Sequence, residues 1–221
     1  MAYIVAMTKI YVIPILLFLS IASIQPLLAQ TSDSGLTQWE ALISRQIKYP
    51  IEAIRARKEG VVAISLSTDE EGNLGEIKLQ KTASQYFDNQ SLEAVQNVRD
   101  LWSAEMLADR KPGETYLLVF NYFFLQEGSS KQDKIKSAMD LIQKGKPEKA
   151  LKIAEQMVNG NPFDAKGLQL RSQIHRQLGQ EEAATADLLA YQEMTKKVIT
   201  QIDVKVFQQV STRSVSGTIR N

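Results

Sequence analysis

The stretch Thr115-Tyr-Leu-Leu-Val-Phe-Asn-Tyr-Phe-Phe-Leu125 is the most strand-prone in the chain. Aromatic and β-branched side chains fit a pleated, buried surface, and Lys111-Pro-Gly113 punctuates the chain just before it. Upstream, Val62, Ile64 and Leu66 alternate with Ala63, Ser65 and Ser67, the two-residue period of a half-buried strand. Asp69-Glu-Glu-Gly-Asn73 reads as a polar turn, because glycine and asparagine tolerate positive φ. Ile77 and Leu79 then continue a second strand, so residues 60–80 form a β-hairpin.

Helical spacing flanks the hairpin on both sides. Leu36, Trp39, Leu42, Ile43 and Ile47 predict an amphipathic helix over Thr37–Ile47. It stops ahead of Tyr49-Pro50, since proline disfavours helical geometry in the preceding residue. Pro50 can open a short turn through Ile51–Ala56. Leu92, Val95, Val98 and Trp102 predict a second helix from about Phe87 to Leu101. The order is helix, β-hairpin, helix, strand: an α+β domain over 36–126 with a three-stranded antiparallel sheet.

Beyond a linker at Gly128-Ser-Ser130 the pattern is wholly helical, and it repeats. A shift of 34 residues places Ala138 on Ser172, Gly145 on Gly179 and Ala150 on Ala184. Small residues where helices cross, a glycine at the turn, and Pro162 closing the first unit resemble a degenerate pair of tetratricopeptide repeats over 131–195. The usual aromatic is missing at Leu141 and His175. Val198, Ile202, Val206 and Val210 form a helical stripe, whereas Ile202, Val204 and Val206 alternate like a strand. A capping helix is expected, because a repeat pair exposes an apolar end that must be covered. The all-α, tetratricopeptide-like region is thus placed at 131–210, with a flexible tail at 211–221.

The 221 residues contain no cysteine and one histidine, His175. Disulfide frameworks, zinc ribbons, cysteine nucleophiles and His-rich metal sites are thereby excluded. Ile10–Ala29 is the one strongly apolar segment, with Lys9 the only charge among the first 29 residues. It reads as a signal peptide over 1–29, cleaved before Gln30, which places the protein in the periplasm. The alternative is a retained inner-membrane anchor facing the periplasm, since about 20 apolar residues span a bilayer. Pro14, Pro26, Ser20 and Ser23 weaken that anchor, and without a cysteine no lipoprotein is possible. Acidic side chains outnumber basic ones over 30–127, and the reverse holds over 128–221. No concentrated basic face emerges, so nucleic acid is not an expected partner.

Residues 36–126 also resemble the C-terminal domain of TonB. The matching residues are Tyr49-Pro50, Ala53, Glu59-Gly60-Val61, Gly72, Phe87-Asp88, Ser91-Leu92 and Ala94-Val95, followed by the terminal strand Thr115–Phe124. Asp88 is placed to cap the second helix. The resemblance implies a periplasmic domain that contacts outer-membrane transporters by accepting an added strand. Energy-transducing TonB proteins carry a long proline-rich spacer, whereas here the six prolines are scattered and only Thr31–Gly35 separates the expected leader from the first helix. A stand-alone adaptor is therefore expected, with a membrane-anchored energy transducer acting in transmembrane transport as the alternative.

No catalytic, cofactor-binding or metal-binding residues emerge, and the protein is expected not to be an enzyme. His175 falls at a packing position, Asp69-Glu-Glu71 lacks the ligand spacing of a calcium loop, and Lys144-Gly-Lys146 lacks the glycines and the preceding strand of a phosphate loop. Trp39 and Trp102 lie on apolar stripes and are assigned to packing. Two partner-binding surfaces are expected instead, both for protein or peptide partners in the envelope, such as an outer-membrane transporter. One is Tyr116, Leu118, Phe120, Tyr122 and Phe124, should their strand form a sheet edge. The other is the face of the second repeat's first helix, with Lys166, Gln169, Gln173 and Arg176. That face suits an acidic or C-terminal peptide, because arginine offers paired donors to a carboxylate. The membrane itself is a partner only if the N-terminal segment is retained.

Overall fold

The computed structural model describes residues 34–125 and 130–207. The expected signal peptide, most of the expected linker and the expected tail lie outside these residues. Helix α1 (Ser34–Gln46) and the short α2 (Ile51–Arg55) lead into β1 (Gly60–Thr68) and β2 (Leu74–Lys81). Helix α3 (Gln85–Gln96) and two 3₁₀ turns (Arg99–Leu101, Ala104–Leu107) precede β3 (Thr115–Leu125). Four helices follow: α4 (Lys131–Gln143), α5 (Pro147–Gly160), α6 (Ala165–Gln177) and α7 (Glu181–Lys197). The last described element, β4 (Val198–Phe207), begins where α7 ends.

The sheet order is β2-β1-β3-β4. Strands β1 and β2 pair antiparallel, as do β1 and β3, but β3 and β4 run parallel. The expected three-stranded antiparallel sheet is therefore corrected to a four-stranded mixed sheet. Parallel neighbours need a crossover connection, and here α4–α7 supply it, returning the chain from Leu125 to a strand that starts opposite Leu117. The expected capping helix is corrected as well. Residues 198–207 extend as a strand because alternation buries Ile202 and Val204 in the main core, and β-branched side chains favour that conformation.

One face of the sheet carries Val62, Ile64, Leu66, Tyr116, Leu118, Phe120 and Tyr122, packed beneath Trp39 and Ile43 of α1 and Phe87 and Val95 of α3. The opposite face holds Val61, Ala63 and Val119, covered by Phe163 and Val198. Burial on both faces explains why β3 is so uniformly apolar. Trp39 donates to the Val98 carbonyl and Trp102 to the Gly72 carbonyl, each at 3.0 Å. Their rings meet edge-on with centroids 5.3 Å apart, so both tryptophans belong to the fold.

Helices α4–α7 form two hairpins whose helices start at the same 34-residue offset, 131 to 165 and 147 to 181. Gly145 and Gly179 turn the two hairpins with φ of 67° and 72°, a conformation that suits a residue without a Cβ. Ala150 and Ala184 are both fully buried, and Ser172 donates to the Ala184 carbonyl at 2.7 Å. Asp187 is buried and accepts from Arg171 through both oxygens, at 2.6 and 2.7 Å. His175 Nδ1 sits 2.5 Å from Gln180 Oε1, with Nε2 3.8 Å from Asp187. The histidine packs in the α6–α7 hairpin.

Candidate interaction site

Several of the residues that carried the family resemblance, Tyr49 and Phe87 among them, converge on one corner of the sheet. Tyr49 ends the turn after α1, and its ring meets Phe87 and Tyr122 edge-on, with centroids 5.6 and 5.8 Å away. Its hydroxyl donates to the Lys58 carbonyl. Burial, reinforced by the Glu59 carboxylate, pushes the Tyr49 phenol up to about 12. Phe87 stacks on Tyr122 at 4.3 Å, and the Tyr122 hydroxyl lies 2.8 Å from Ser91 Oγ. Burial pushes the Tyr122 phenol up to about 12.

Glu59, Gly60 and Asp88 close the same corner, whereas Gly72 lies in the β1–β2 turn beneath Trp102 and Val61 faces the opposite side of the sheet. Glu59 accepts from the Phe124 backbone N–H at 2.7 Å, holding the end of β3. A Cβ on Gly60 would lie 2.6 Å from the Ala83 methyl, so that approach requires glycine. Asp88 lies inside the first turn of α3 and accepts from Ala83 N at 2.9 Å. The N-cap itself is Ser84, so Asp88 secures the entry to the helix by reaching back. The motif is thus architectural: it locks α2, α3 and β3 together.

Tyr116, Leu118, Phe120, Tyr122 and Phe124 do not line a sheet edge. Strand β3 is flanked by β1 on one side and β4 on the other, and the first four of these side chains are buried in the core. The expected edge is corrected for a physical reason: the chain fills that edge with its own residues 198–207. The sequence signal that could have found this is the alternation of Ile202, Val204 and Val206.

Lys166, Gln169, Gln173 and Arg176 are all exposed on one stripe of α6, while Leu168, Leu170 and Ile174 turn inward. In α4, Ile135 and Ile142 pack into the helical core while Met139 is exposed. A cleft of about 380 Å³ lies where the end of the sheet meets the helices, lined by Glu59, Asn121, Lys131, Lys134, Asp164 and Asp203 among others. Lys131 is tied there to the buried Asp164 at 3.0 Å. The acidic turn holds its own shape: Asp69 accepts from the Asn73 side chain and from the Glu71 and Asn73 backbones. The bonds from Asn73 hold its carboxyl below the usual range.

Residues 45–121 match the family model described as the Gram-negative bacterial TonB protein C-terminal. They form a TonB C-terminal-like domain. The match spans less than half of the chain and ends before α4. The solution structure of the TonB C-terminal domain from Helicobacter pylori is 27% identical, over 38% of this chain and 86% of that one. Its TM-score of 0.28 is too low to bear on the fold. No curated protein matches the chain. Within the TonB-like domain, the corner motif and β3 fall inside or beside the matched span, whereas α4–α7 and β4 are additions to it. No helix among the described residues is long and apolar enough to cross a membrane.

Proposed function

We propose that this protein is a non-enzymatic interaction adaptor of the Gram-negative cell envelope. In this reading the TonB-like domain serves as the platform and the helical hairpins, taken as tetratricopeptide-like repeats, hold a protein or peptide. The observation that carries it is the match of residues 45–121 to the TonB C-terminal family, whose motif residues here build a scaffold. The envelope and the periplasmic side follow from that family. An outer-membrane transporter is one partner of the expected kind.

The partner-binding surface is the α6 stripe. Lys166 and Arg176 stand exposed at its two ends with Gln169 and Gln173 between them. None of the four makes a side-chain hydrogen bond or ion pair among the described residues. Amide and cationic donors so spaced suit an acidic segment or a chain terminus, with Arg176 matched to a carboxylate in bidentate fashion. The test is to change Lys166 and Arg176 together to Glu. Capture of envelope partners from the native host should be lost while the melting temperature stays put. Undiminished capture with a lowered melting temperature would make the stripe structural and refute the reading.

A further inference from the structure

The two outer edges of the sheet differ. At one edge, β2 is mostly exposed and carries Glu76, Lys78 and Lys81, with a Glu76–Lys78 pair at 2.7 Å, and its register with β1 breaks twice. Charges and bulges are how sheet edges resist pairing. At the other edge, β4 is ten residues long and contains neither glycine nor proline. Its register with β3 is continuous from Thr200 to Phe207. Among the described residues β3 is its sole strand neighbour, so its outward-facing N–H and C=O groups have no strand partner there, and only the Val198 carbonyl accepts from a side chain, that of Arg110.

The sequence of that edge is complementary to itself. Ile202, Val204 and Val206 point to the core face, and Asp203 and Lys205 to the other. Two copies laid antiparallel about a two-fold axis through Val204 would set Asp203 of each opposite Lys205 of the other. Ile202 would oppose Val206, and Val204 would oppose itself. Directly opposed residues share a face in an antiparallel pair, where opposite charges stabilise and like charges destabilise. The neighbouring two-fold registers fail this test. Centring on Asp203 or Lys205 sets like charges together, and centring on Ile202 sets Lys205 against Ile199. Asp203 is fixed for the purpose, because Asn121 Nδ2 donates to its Oδ1 at 3.1 Å. Lys205 is exposed and makes no ion pair among the described residues.

The geometry points to a second copy of this chain as the occupant of the β4 edge. Two four-stranded sheets would join into one continuous eight-stranded sheet across an isologous interface, the commonest symmetry of soluble oligomers. The pairing would cover the β4 edge, which has no second strand neighbour among the described residues.

The test is sedimentation of the full chain as its cells produce it, with Asp203→Lys, Lys205→Asp and the double swap. The parent should show a concentration-dependent doubling of mass. Each single reversal sets like charges opposite one another twice, and should weaken association by about tenfold to a hundredfold. Mixing the two reversed proteins pairs an all-basic edge with an all-acidic one, so a heterodimer should form, and the double swap should regain the homodimer. Recovery on mixing also shows that both variants are folded. A parent that stays monomeric at every concentration overturns the proposal. So does a single reversal that dimerises as well as the parent, or a mixture that does not associate.

Discussion

Ser91 Oγ and Tyr122 Oη lie 2.8 Å apart in the buried corner between α3 and β3, each the other's polar partner. Removing the phenol in Tyr122→Phe leaves Ser91 unsatisfied and should cost about 1–2 kcal/mol at neutral pH. The alkaline limb carries the sharper consequence. An unfolded tyrosine loses its proton near 10, whereas Tyr122 in the fold holds its proton to about 12. Between those values the folded chain binds more protons than the unfolded one, so stability falls as pH rises. The contribution is complete below about 10 and gone above the folded value. Phenylalanine cannot ionise, so the gap between parent and variant should narrow on going from about pH 8 to about pH 11. Urea denaturation at both conditions measures it, and a constant gap would contradict the assignment.

Gly60 offers a test of the corner by steric means. Its missing Cβ faces the Ala83 methyl at 2.6 Å, an approach that side chains do not make. Gly60→Ala should destabilise by about 1–3 kcal/mol, the usual cost of overpacking. Deleting the opposing methyl in Gly60→Ala/Ala83→Gly should recover most of that loss. Thermal melting of the two single variants and the pair gives the coupling directly. Purely additive effects would place the strain elsewhere.

Much of this corner was legible in the sequence. Tyr49-Pro50, Glu59-Gly60 and Phe87-Asp88 are local signals: a helix stop, a strand entry and a helix start. Periodicity likewise located α1, the hairpin, β3 and the 34-residue offset of the helical hairpins. The partner of β3 was hidden because it lies some eighty residues further on, and no local pattern encodes which strand a distant segment will join. Ile202, Val204 and Val206 fit a strand, yet Val198, Ile202 and Val206 fit a helix equally well. Burial in the core decided between them. The same event removed Tyr116, Leu118, Phe120, Tyr122 and Phe124 from the surface.

Arg171 and Asp187 join α6 to α7 through two short hydrogen bonds, and the carboxylate is buried. The bond to Asp187 holds the guanidinium still more firmly protonated. Breaking one side of a buried pair is the damaging change, because it strands the other charge. Arg171→Met should cost about 3 kcal/mol. Arg171→Met/Asp187→Leu should be milder than that single change, since no buried charge remains. Chemical denaturation of both variants checks the order, and a double variant less stable than Arg171→Met would contradict it.

Strand β4 makes a prediction that separates its two faces. If residues 198–207 merely capped the helical hairpins, truncating Ile202 would disturb those hairpins and leave the TonB-like core intact. In the observed fold Ile202 is paired with Phe120 and buried in the same cluster as Trp39 and Phe87. Ile202→Ala should therefore destabilise by about 2–5 kcal/mol, the range for removing a buried isoleucine. Lys205, three residues on and exposed, should tolerate alanine within about 0.5 kcal/mol at concentrations too low for self-association. The near-ultraviolet signal of Trp39, which lies in the core that β4 completes, reports the loss where it matters. A tryptophan signal indifferent to Ile202→Ala, with melting confined to the helices, would remove β4 from the sheet.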